Sequence, residues 1–439
     1  KKNNVSRRQF VKGSSLAAGG IILAPSLLGA TPLAHTAKKL KIAVVGCGGR
    51  GSGAVVQALK ADDNTVLVAM ADAFEDRLED AYKRFNKIFG EDRIKVKDSH
   101  KFVGFGSYKK AIDAADVVIL TTPPGFRPQH FEYAVSQDKH IFMEKPVATD
   151  VAGIKKVLVA AKVAQAKKLN VVVGLQRHYQ PSYEATYNRI KNGEIGNIVS
   201  GQVYWNSAGV WVRPREASQT EIEYQMRNWY YFNWLCGDHI LEQHIHNIDV
   251  ANWFIGDYPI SAQGMGGREV RNGKDHGQIF DHHFVEFKYA SGAVISSQCR
   301  HQKGCMNNVS ESFQGTLGTS YTDGGSNAEL KSYAGNMIYK HNSENDLNPY
   351  QIEHNRLFKS IRNGEVINNT EYGAKSTMTA ILGRMATYSG KLVTWDEAMA
   401  TDLKLVPDED TLTWNSVAPV NMDANGNYPI PVPGFTKFS

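Results

Sequence analysis

An apolar run followed at once by closely spaced glycines is the feature that most restricts the fold of this chain. Residues 39–60 have the sequence KLKIAVVGCGGRGSGAVVQALK. The apolar run predicts a buried strand, and the spacing of apolar residues after the glycines predicts a helix. Gly46, Gly48 and Gly51 lie at the turn between them. A dinucleotide-binding strand–turn–helix unit needs glycines there, because the turn is tight, the backbone approaches a pyrophosphate and the helix N-terminus faces that anion.

A second apolar run, TVLVAMAD, ends on Asp72 at the distance where an acidic side chain accepts hydrogen bonds from ribose hydroxyls. The carboxylate favours NAD, because it would repel the 2′-phosphate of NADP, while Arg77 nearby leaves NADP open. The alternative is a glycine turn in another α/β protein that has a surface aspartate. We predict cofactor contacts from the residues of the turn and from the strand end: Gly46, Gly48, Gly49, Arg50, Gly51 and Asp72.

Further apolar runs predict the rest of the fold. DVVILTTPP, KHIFMEKP and LNVVVGLQ indicate more parallel strands with crossover helices, and FDHHFVEFKY followed by AVISSQCRH predicts an antiparallel hairpin. The predicted fold class is α/β, a Rossmann dinucleotide-binding domain followed by an α+β domain with an open, mainly antiparallel sheet. We place the first at 38–165 and the second, for substrate and oligomer contacts, at 166–395, with a helix near 374–390 packing back toward the Rossmann domain. Residues 396–439 form a C-terminal extension.

The first 37 residues are typical of an export signal. SRRQFVK precedes a mild apolar segment, the pattern of a twin-arginine signal, so we expect export, a periplasmic location and no stable membrane span after cleavage. A disordered tail or an N-terminal anchor is the alternative. Five positive charges of the formal net +6 lie in this stretch, which leaves the rest near neutral and gives no electrostatic reason to expect nucleic acid.

The four cysteines form no CxxC pair, so neither a zinc knuckle nor a dithiol motif is predicted. We expect free buried thiols, with a bridge between Cys299 and Cys305 as the alternative.

Several motifs resemble the Gfo/Idh/MocA oxidoreductases: the glycine turn, TTPP at 121–124, EKP at 144–146, GLQRHYQP at 174–181 and AILGRMATYSGKLVTWDE at 380–397. The resemblance implies that Lys145 lies beside the nicotinamide and the reacting hydroxyl, and that His246 is the acid/base. Many members have Asp four residues before this histidine, where this chain has the longer Glu242. The resemblance also implies cofactor contacts from residues of the first domain: Thr121, Pro123, His130, Glu144 and Lys145. The family's second sheet often mediates assembly, so we expect a homo-oligomer.

The segment at 237–253, GDHILEQHIHNIDVANW, is rich in histidine and acidic residues. On one continuous helix, His244 would point away and four other side chains would share a face: His239, Glu242, His246 and Asp249. That spacing could hold a metal, but HExxH is absent and hydride transfer in this family needs none. We therefore predict no metal, with Lys145, Glu242 and His246 as catalytic residues.

Five of the seven tryptophans lie between residues 201 and 253, which favours a sugar-binding cleft as much as it favours core packing. Predicted substrate contacts are Arg177, Tyr179, Trp205, Arg213, Trp234, His239 and Asp249. The predicted function is hydride transfer between NAD(P) and a hydroxyl carbon of a sugar or glycoside. The cofactor should be tightly held, because free NAD is scarce outside the cytoplasm. A redox-neutral NAD-dependent glycoside hydrolase is the alternative, and a non-catalytic binding protein is a third hypothesis.

Overall fold

The protein builds two β-sheets, and the computed structural model describes residues 38–437. The predicted export signal at 1–37 lies outside the described residues. Among the described residues, no helix is both long enough and apolar enough to cross a membrane.

The first sheet has six parallel strands in the order β3-β2-β1-β4-β5-β6. These are β1 Leu40–Val45, β2 Thr65–Asp72, β3 Lys101–Val103, β4 Val117–Leu120, β5 His140–Met143 and β6 Val171–Val173. The central strand β4 is a continuous buried apolar run, and β1 is buried and apolar apart from Lys41, as is typical of a parallel sheet covered by helices on both faces. This strand order is that of the Rossmann fold, so the prediction for the first domain is confirmed.

Five helices accompany this sheet: α1 Gly49–Ala61, α2 Glu75–Arg93, α3 Ser107–Asp113, α4 Arg127–Ser136 and α5 Val151–Ala166. Helix α5 begins at a capping aspartate, Asp150, whose carboxylate accepts a hydrogen bond of 2.7 Å from the amide of Gly153.

The second sheet has nine strands in the order β14-β13-β12-β11-β7-β10-β9-β8-β15. These are β7 Ile198–Ser207, β8 Pro259–Gly267, β9 His282–Tyr289, β10 Val294–His301, β11 Asn308–Gly315, β12 Gly318–Asp323, β13 Ala328–Ser332, β14 Met337–Lys340 and β15 Val393–Thr394. Strands β7 and β10 pair in parallel and the other described pairs are antiparallel, including the predicted hairpin of β9 and β10. The open, mainly antiparallel second sheet is therefore confirmed.

The helices of the second half are α6 Pro181–Lys191, α7 Glu221–Arg227, α8 Asn233–Cys236, α9 His239–Glu242, α10 Ile245–Ile255, α11 Pro349–Asn363, α12 Thr370–Ser389 and α13 Trp395–Ala400. Helix α12 packs against α5 of the first domain and against β8 and β9 of the second sheet. A small residue permits the close packing against β9, since a Cβ on Gly383 would lie 2.9 Å from the Phe287 side chain. The helix ends at Gly390, which has a φ of +69°, as the sequence predicted.

After Ala400 the described chain runs back over the Rossmann domain. The amides of Leu405 and Val406 donate to the carboxylate of Asp150 at 2.6 and 3.3 Å. The ring of Trp414 packs 5.2 Å from Phe74 and 4.6 Å from Phe105, measured between ring centroids. The sequence indicated an extension here but not its course.

Candidate active site

The glycine turn between β1 and α1 has two crowded positions and two open ones. Gly46 has a φ of +96°, and a Cβ on Gly51 would lie 2.0 Å from the Gly46 carbonyl oxygen, so neither position tolerates a side chain. A Cβ on Gly48 or Gly49 would meet no atom within 4 Å. Helix α1 begins there with no side-chain cap and no acidic residue in its first turn. Open space and uncapped amides together fit a pyrophosphate.

Asp72 is held at the end of β2 by the backbone. Its carboxylate accepts hydrogen bonds from the amides of Cys47 at 2.6 Å and Phe74 at 2.9 Å. Burial raises the pKa of Asp72, and these two hydrogen bonds act in the opposite direction. The carboxylate lines a cavity of about 370 Å³ together with the glycine turn. Arg77 and Arg213 line the same cavity, so the structure places Arg213 at the dinucleotide end rather than beside Lys145.

The opposite wall of this cavity comes from β4, α4 and the C-terminal extension. Thr121 donates to the Gly46 carbonyl at 2.6 Å, and Pro123 also lines the cavity. His130 contacts Thr122 through Nδ1 at 3.1 Å and the carboxylate of Glu409 through Nε2 at 2.7 Å. Glu409 was not predicted, and no motif around it marks a site. Its position depends on the return of the chain over the first domain.

Glu144 and Lys145 follow β5, and Lys145 connects this strand end to the second domain. Glu144 forms a 2.6 Å ion pair with Arg50, and Gly174 leaves room for the carboxylate, because a Cβ there would lie 2.7 Å from it. The Lys145 ammonium lies 3.1 Å from the Glu242 carboxylate and also donates to the Glu242 carbonyl oxygen. The lysine of the EKP motif is therefore fixed by a residue of the second domain.

The expectation of one continuous helix at 237–253 is wrong. Helix α9 ends at Glu242, and α10 begins at Ile245. The break leaves the Glu242 carbonyl oxygen available to Lys145, and the shared face that continuous helical spacing predicted does not form. His244, as expected, points away from the cleft, toward a 2.7 Å hydrogen bond with Ser297.

Lys145, Glu242 and His246 nevertheless line one cavity of about 280 Å³. The His246 ring is stacked near Trp205 at 5.8 Å, and its Nδ1 has no hydrogen-bond partner in the described part of the chain. Burial lowers the pKa of His246 well below its ordinary value, and the nearby cations Lys145 and Arg177 lower it further. The imidazole is therefore neutral at physiological pH and able to accept a proton. Burial raises the pKa of Glu242, and the Lys145 ammonium acts in the opposite direction.

Four of the predicted substrate contacts lie in the interior, away from this cavity: Tyr179, Trp234, His239 and Asp249. The Tyr179 hydroxyl donates to Asn369 at 2.6 Å, and the Trp234 indole donates to Gln225 at 2.7 Å. This corrects the sequence interpretation, because residue type and spacing do not fix the direction of a side chain on an irregular segment.

Asp249 and His239 have structural partners as well. Asp249 accepts hydrogen bonds from His178 at 2.8 Å and Ser376 at 2.7 Å. His239 lies 2.8 Å from the carboxylate of its neighbour Asp238, and burial lowers the pKa of this histidine to about 4 even though Asp238 opposes the shift. Neither side chain reaches the cavity.

Asp238, His239 and His283 are the one group in the described chain whose ligand atoms lie close enough together for a metal, within 4.8 Å. The Asp238 carboxylate already accepts hydrogen bonds from the Phe280 amide at 2.9 Å and the Tyr388 hydroxyl at 2.5 Å. Only His239 is common to this buried group and to the four residues whose helical spacing could hold a metal. The expectation of no metal stays a prediction.

Gln243 at the helix break was missed by the sequence analysis, and a hydrogen-bond chain sets its orientation. Arg271 can only donate, so the His301 Nδ1 atom, at 2.6 Å, is the acceptor and the ring proton is on Nε2. Nε2 then donates to the Gln243 side-chain oxygen at 2.7 Å. The Gln243 oxygen is thereby occupied, and Gln243 lines the cavity of Lys145 and Glu242.

All four cysteines are free, with Cys47, Cys236 and Cys299 buried and Cys305 exposed.

The fold and the glycine turn define a dinucleotide-binding oxidoreductase domain joined to an α/β partner domain. Two family models match the chain: "Oxidoreductase family, NAD-binding Rossmann fold" over residues 40–174 and "Oxidoreductase family, C-terminal alpha/beta domain" over residues 188–371. The chain belongs to the Gfo/Idh/MocA oxidoreductase family, which confirms the resemblance and the NAD-binding Rossmann domain.

Relatives of this chain include inositol 2-dehydrogenases. That of Burkholderia lata is 28% identical over 260 residues, which are 58% of this chain and 66% of the relative, just under two thirds of its length. That of Ralstonia nicotianae is 30% identical over 42% of this chain and 48% of the relative.

Solved structures share the fold. Aldose-aldose oxidoreductase from Caulobacter crescentus, complexed with glycerol, has a TM-score of 0.64 at 17% identity and covers 81% of this chain and 100% of its own. Levoglucosan dehydrogenase, in complex with NADH and levoglucosan, has a TM-score of 0.66 at 16% identity and covers 81% and 99%.

Proposed function

We propose that this protein oxidises a hydroxyl-bearing carbon of a sugar or related polyol with NAD. The carrying observation is that the cavity of Lys145, Glu242 and His246 shares lining residues with the dinucleotide cavity, among them Thr121 and Thr122. A dinucleotide bound along the glycine turn would therefore have its nicotinamide end beside these three side chains. Bound NAD supplies the hydride acceptor.

The three side chains have complementary tasks. Neutral His246 accepts the proton of the reacting hydroxyl. The Lys145 ammonium stabilises the developing alkoxide in a cleft that is largely screened from water. Glu242 holds Lys145 in place through its carboxylate and its carbonyl oxygen. Trp205, stacked near His246, offers an aromatic face to the apolar side of a sugar ring.

The names of the relatives support a polyol substrate, since inositol and levoglucosan are ring compounds with several hydroxyl groups. One experiment distinguishes this proposal from the redox-neutral hydrolase cycle and from the non-catalytic hypothesis.

That experiment begins with mass spectrometry of small molecules released from the purified protein, which we expect to yield NAD or NADH. A panel of sugars and aryl glycosides is then incubated with the protein, and reduction of the cofactor is followed by absorbance. Steady release of the aglycone without added NAD would favour the hydrolase cycle over simple oxidation. No turnover of any sugar would favour the binding protein.

His246→Asn tests the assignment of the base. We expect turnover to fall by about 10²–10⁴-fold with unchanged cofactor content, because the group that accepts the proton is lost. His244→Asn is the matched control, since this buried histidine lies on the same segment but bonds Ser297 away from the cavity. Equal losses in both variants would contradict the assignment.

Export and assembly remain parts of this proposal. SRRQFVK at residues 6–12 supports export by the twin-arginine route to the periplasm, with a tightly held cofactor. Apolar side chains exposed on strands of the second sheet, including Ile260 and Met265, support a homo-oligomer formed through that sheet. Fractionation of cells that express the intact precursor, and light scattering of the purified protein, test these two points.

A further inference from the structure

We propose that the cleft has a second sugar subsite beyond His246, so that the preferred substrates are glycosides or disaccharides with an uncharged second ring rather than free monosaccharides. This inference rests on the proposed sugar oxidation and names its substrate class.

The subsite is a chamber of about 450 Å³ that opens widely to solvent and adjoins the reactive cavity. The two spaces share Trp205, His246 and Tyr350 as lining residues. The reactive cavity of about 280 Å³ also has to accommodate the nicotinamide, which leaves room for one sugar ring. A substituent on that ring would extend past His246 into the second chamber.

Two polar groups in this chamber lack partners. Arg177 is buried and forms an ion pair with Glu311 through Nη1, while its Nη2 donates to no described group. The side-chain oxygen of Gln176 is buried and accepts no hydrogen bond from any described residue. Gly324 keeps the approach to Arg177 open, since a Cβ there would lie 3.3 Å from Nη2. A fixed donor and a polar side-chain amide beside it suit the hydroxyl groups of a sugar.

The remaining wall is apolar. Val309 of β11 pairs with Trp205 of β7, so both side chains project from the same face of the second sheet. An indole ring beside an aliphatic side chain suits the apolar face of a pyranose.

The chamber has no uncompensated cation, which disfavours an anionic ligand. Glu311 neutralises Arg177, and the Asp323 carboxylate accepts hydrogen bonds from two neutral groups, the Gly325 amide at 2.9 Å and the Asn327 side chain at 2.6 Å. A uronate or phosphate substituent would meet no uncompensated cation here, whereas an uncharged ring needs none.

The test compares glucose and galactose with the disaccharides maltose, cellobiose, sucrose and trehalose. We expect the best disaccharide to have at least tenfold higher kcat/KM than either monosaccharide. Val309→Trp places an indole in the chamber beside Trp205 and should remove this advantage while the kcat/KM for monosaccharides stays within twofold. Gln176→Met removes the polar side-chain amide at nearly unchanged length and should lower the disaccharide advantage severalfold. Val159→Trp, on an exposed face of α5, is the control and should change neither value.

Equal kcat/KM for both sugar classes in the wild type, or an equal effect of Val309→Trp on both, would overturn the second subsite and leave the proposed oxidation intact. Saturation-transfer NMR with the same disaccharides tests the subsite without turnover. Binding that Val309→Trp abolishes, and that Val159→Trp does not, supports the subsite even if no sugar is oxidised. Binding that both variants retain, or no disaccharide binding to the wild type, overturns it.

Discussion

The two ends of the cleft are built in different ways. At the dinucleotide end, the wall that faces the pyrophosphate is mostly backbone, a glycine turn and uncapped helix amides, with Asp72 held by the amides of Cys47 and Phe74. The substrate end is made of side chains from distant segments, with Lys145 after β5 and His246 on α10. A site made of backbone tolerates few substitutions at its crowded positions, whereas a site made of side chains can change its substrate by single replacements.

The largest expected effect is at the substrate end. Lys145→Met should lower kcat by about 10²–10³-fold, because the cation that stabilises the alkoxide is lost. Cofactor affinity, measured by fluorescence titration, should change only severalfold.

The same variant leaves the partly buried Glu242 carboxylate without its cation, so the free energy of unfolding should also fall. The double variant Lys145→Met/Glu242→Gln removes the unpaired charge and should recover stability without recovering turnover. Recovery of both would show that Lys145 only supports the fold.

The next effect is at the dinucleotide end. Gly51→Ala should lower the free energy of unfolding by about 1–3 kcal/mol and abolish cofactor binding, since its Cβ would lie 2.0 Å from a carbonyl oxygen. Gly48→Ala should weaken cofactor binding while stability stays within about 0.5 kcal/mol, because its Cβ enters open space. Urea unfolding and cofactor titration of both variants separate the two effects. Equal stability losses would contradict the distinction between crowded and open positions.

A smaller effect concerns the C-terminal extension, which supports the dinucleotide end with side chains. Trp414→Ala should speed cofactor release about tenfold, equivalent to about 1.4 kcal/mol, because Phe74 and Phe105 lose their packing partner. Stopped-flow displacement of bound NADH measures the rate. Trp395→Ala is the control, since that ring packs near Tyr258, outside the cavity lining. An unchanged rate of cofactor release in Trp414→Ala would show that the Trp414 side chain does not help to hold the cofactor.

The smallest effect is the response to pH. A histidine with a lowered pKa is neutral above that pKa. His246 therefore stays a proton acceptor as the pH falls from 8 to 6.5, which is the ordinary pKa of a histidine exposed to water. Initial rates of oxidation at saturating NAD should therefore change by less than about twofold over this range. A loss of activity centred near pH 6.5 would mean that the base is more exposed to water than the structure indicates.

The same contrast explains what the sequence could predict. The glycine turn and Asp72 were predictable because strand, turn and helix are contiguous and their chemistry is local. Lys145 and His246 were identified only through the family resemblance. The break after Glu242 was not visible in the pattern, and continuous helical spacing therefore placed His239 and Asp249 on the wrong side. Trp234 shows the same limit, since a large aromatic side chain is as suitable for a core as for a cleft.

The return of the chain over the first domain has a consequence for biosynthesis. The cavity wall at Glu409 and the ring of Trp414 come from residues made more than 300 positions after the glycine turn at Gly46–Gly51. A growing polypeptide can fold its Rossmann sheet early, but the nucleotide cavity gains its last wall only once translation has passed Trp414. Stable capture of NAD would thus distinguish finished molecules from prematurely terminated ones.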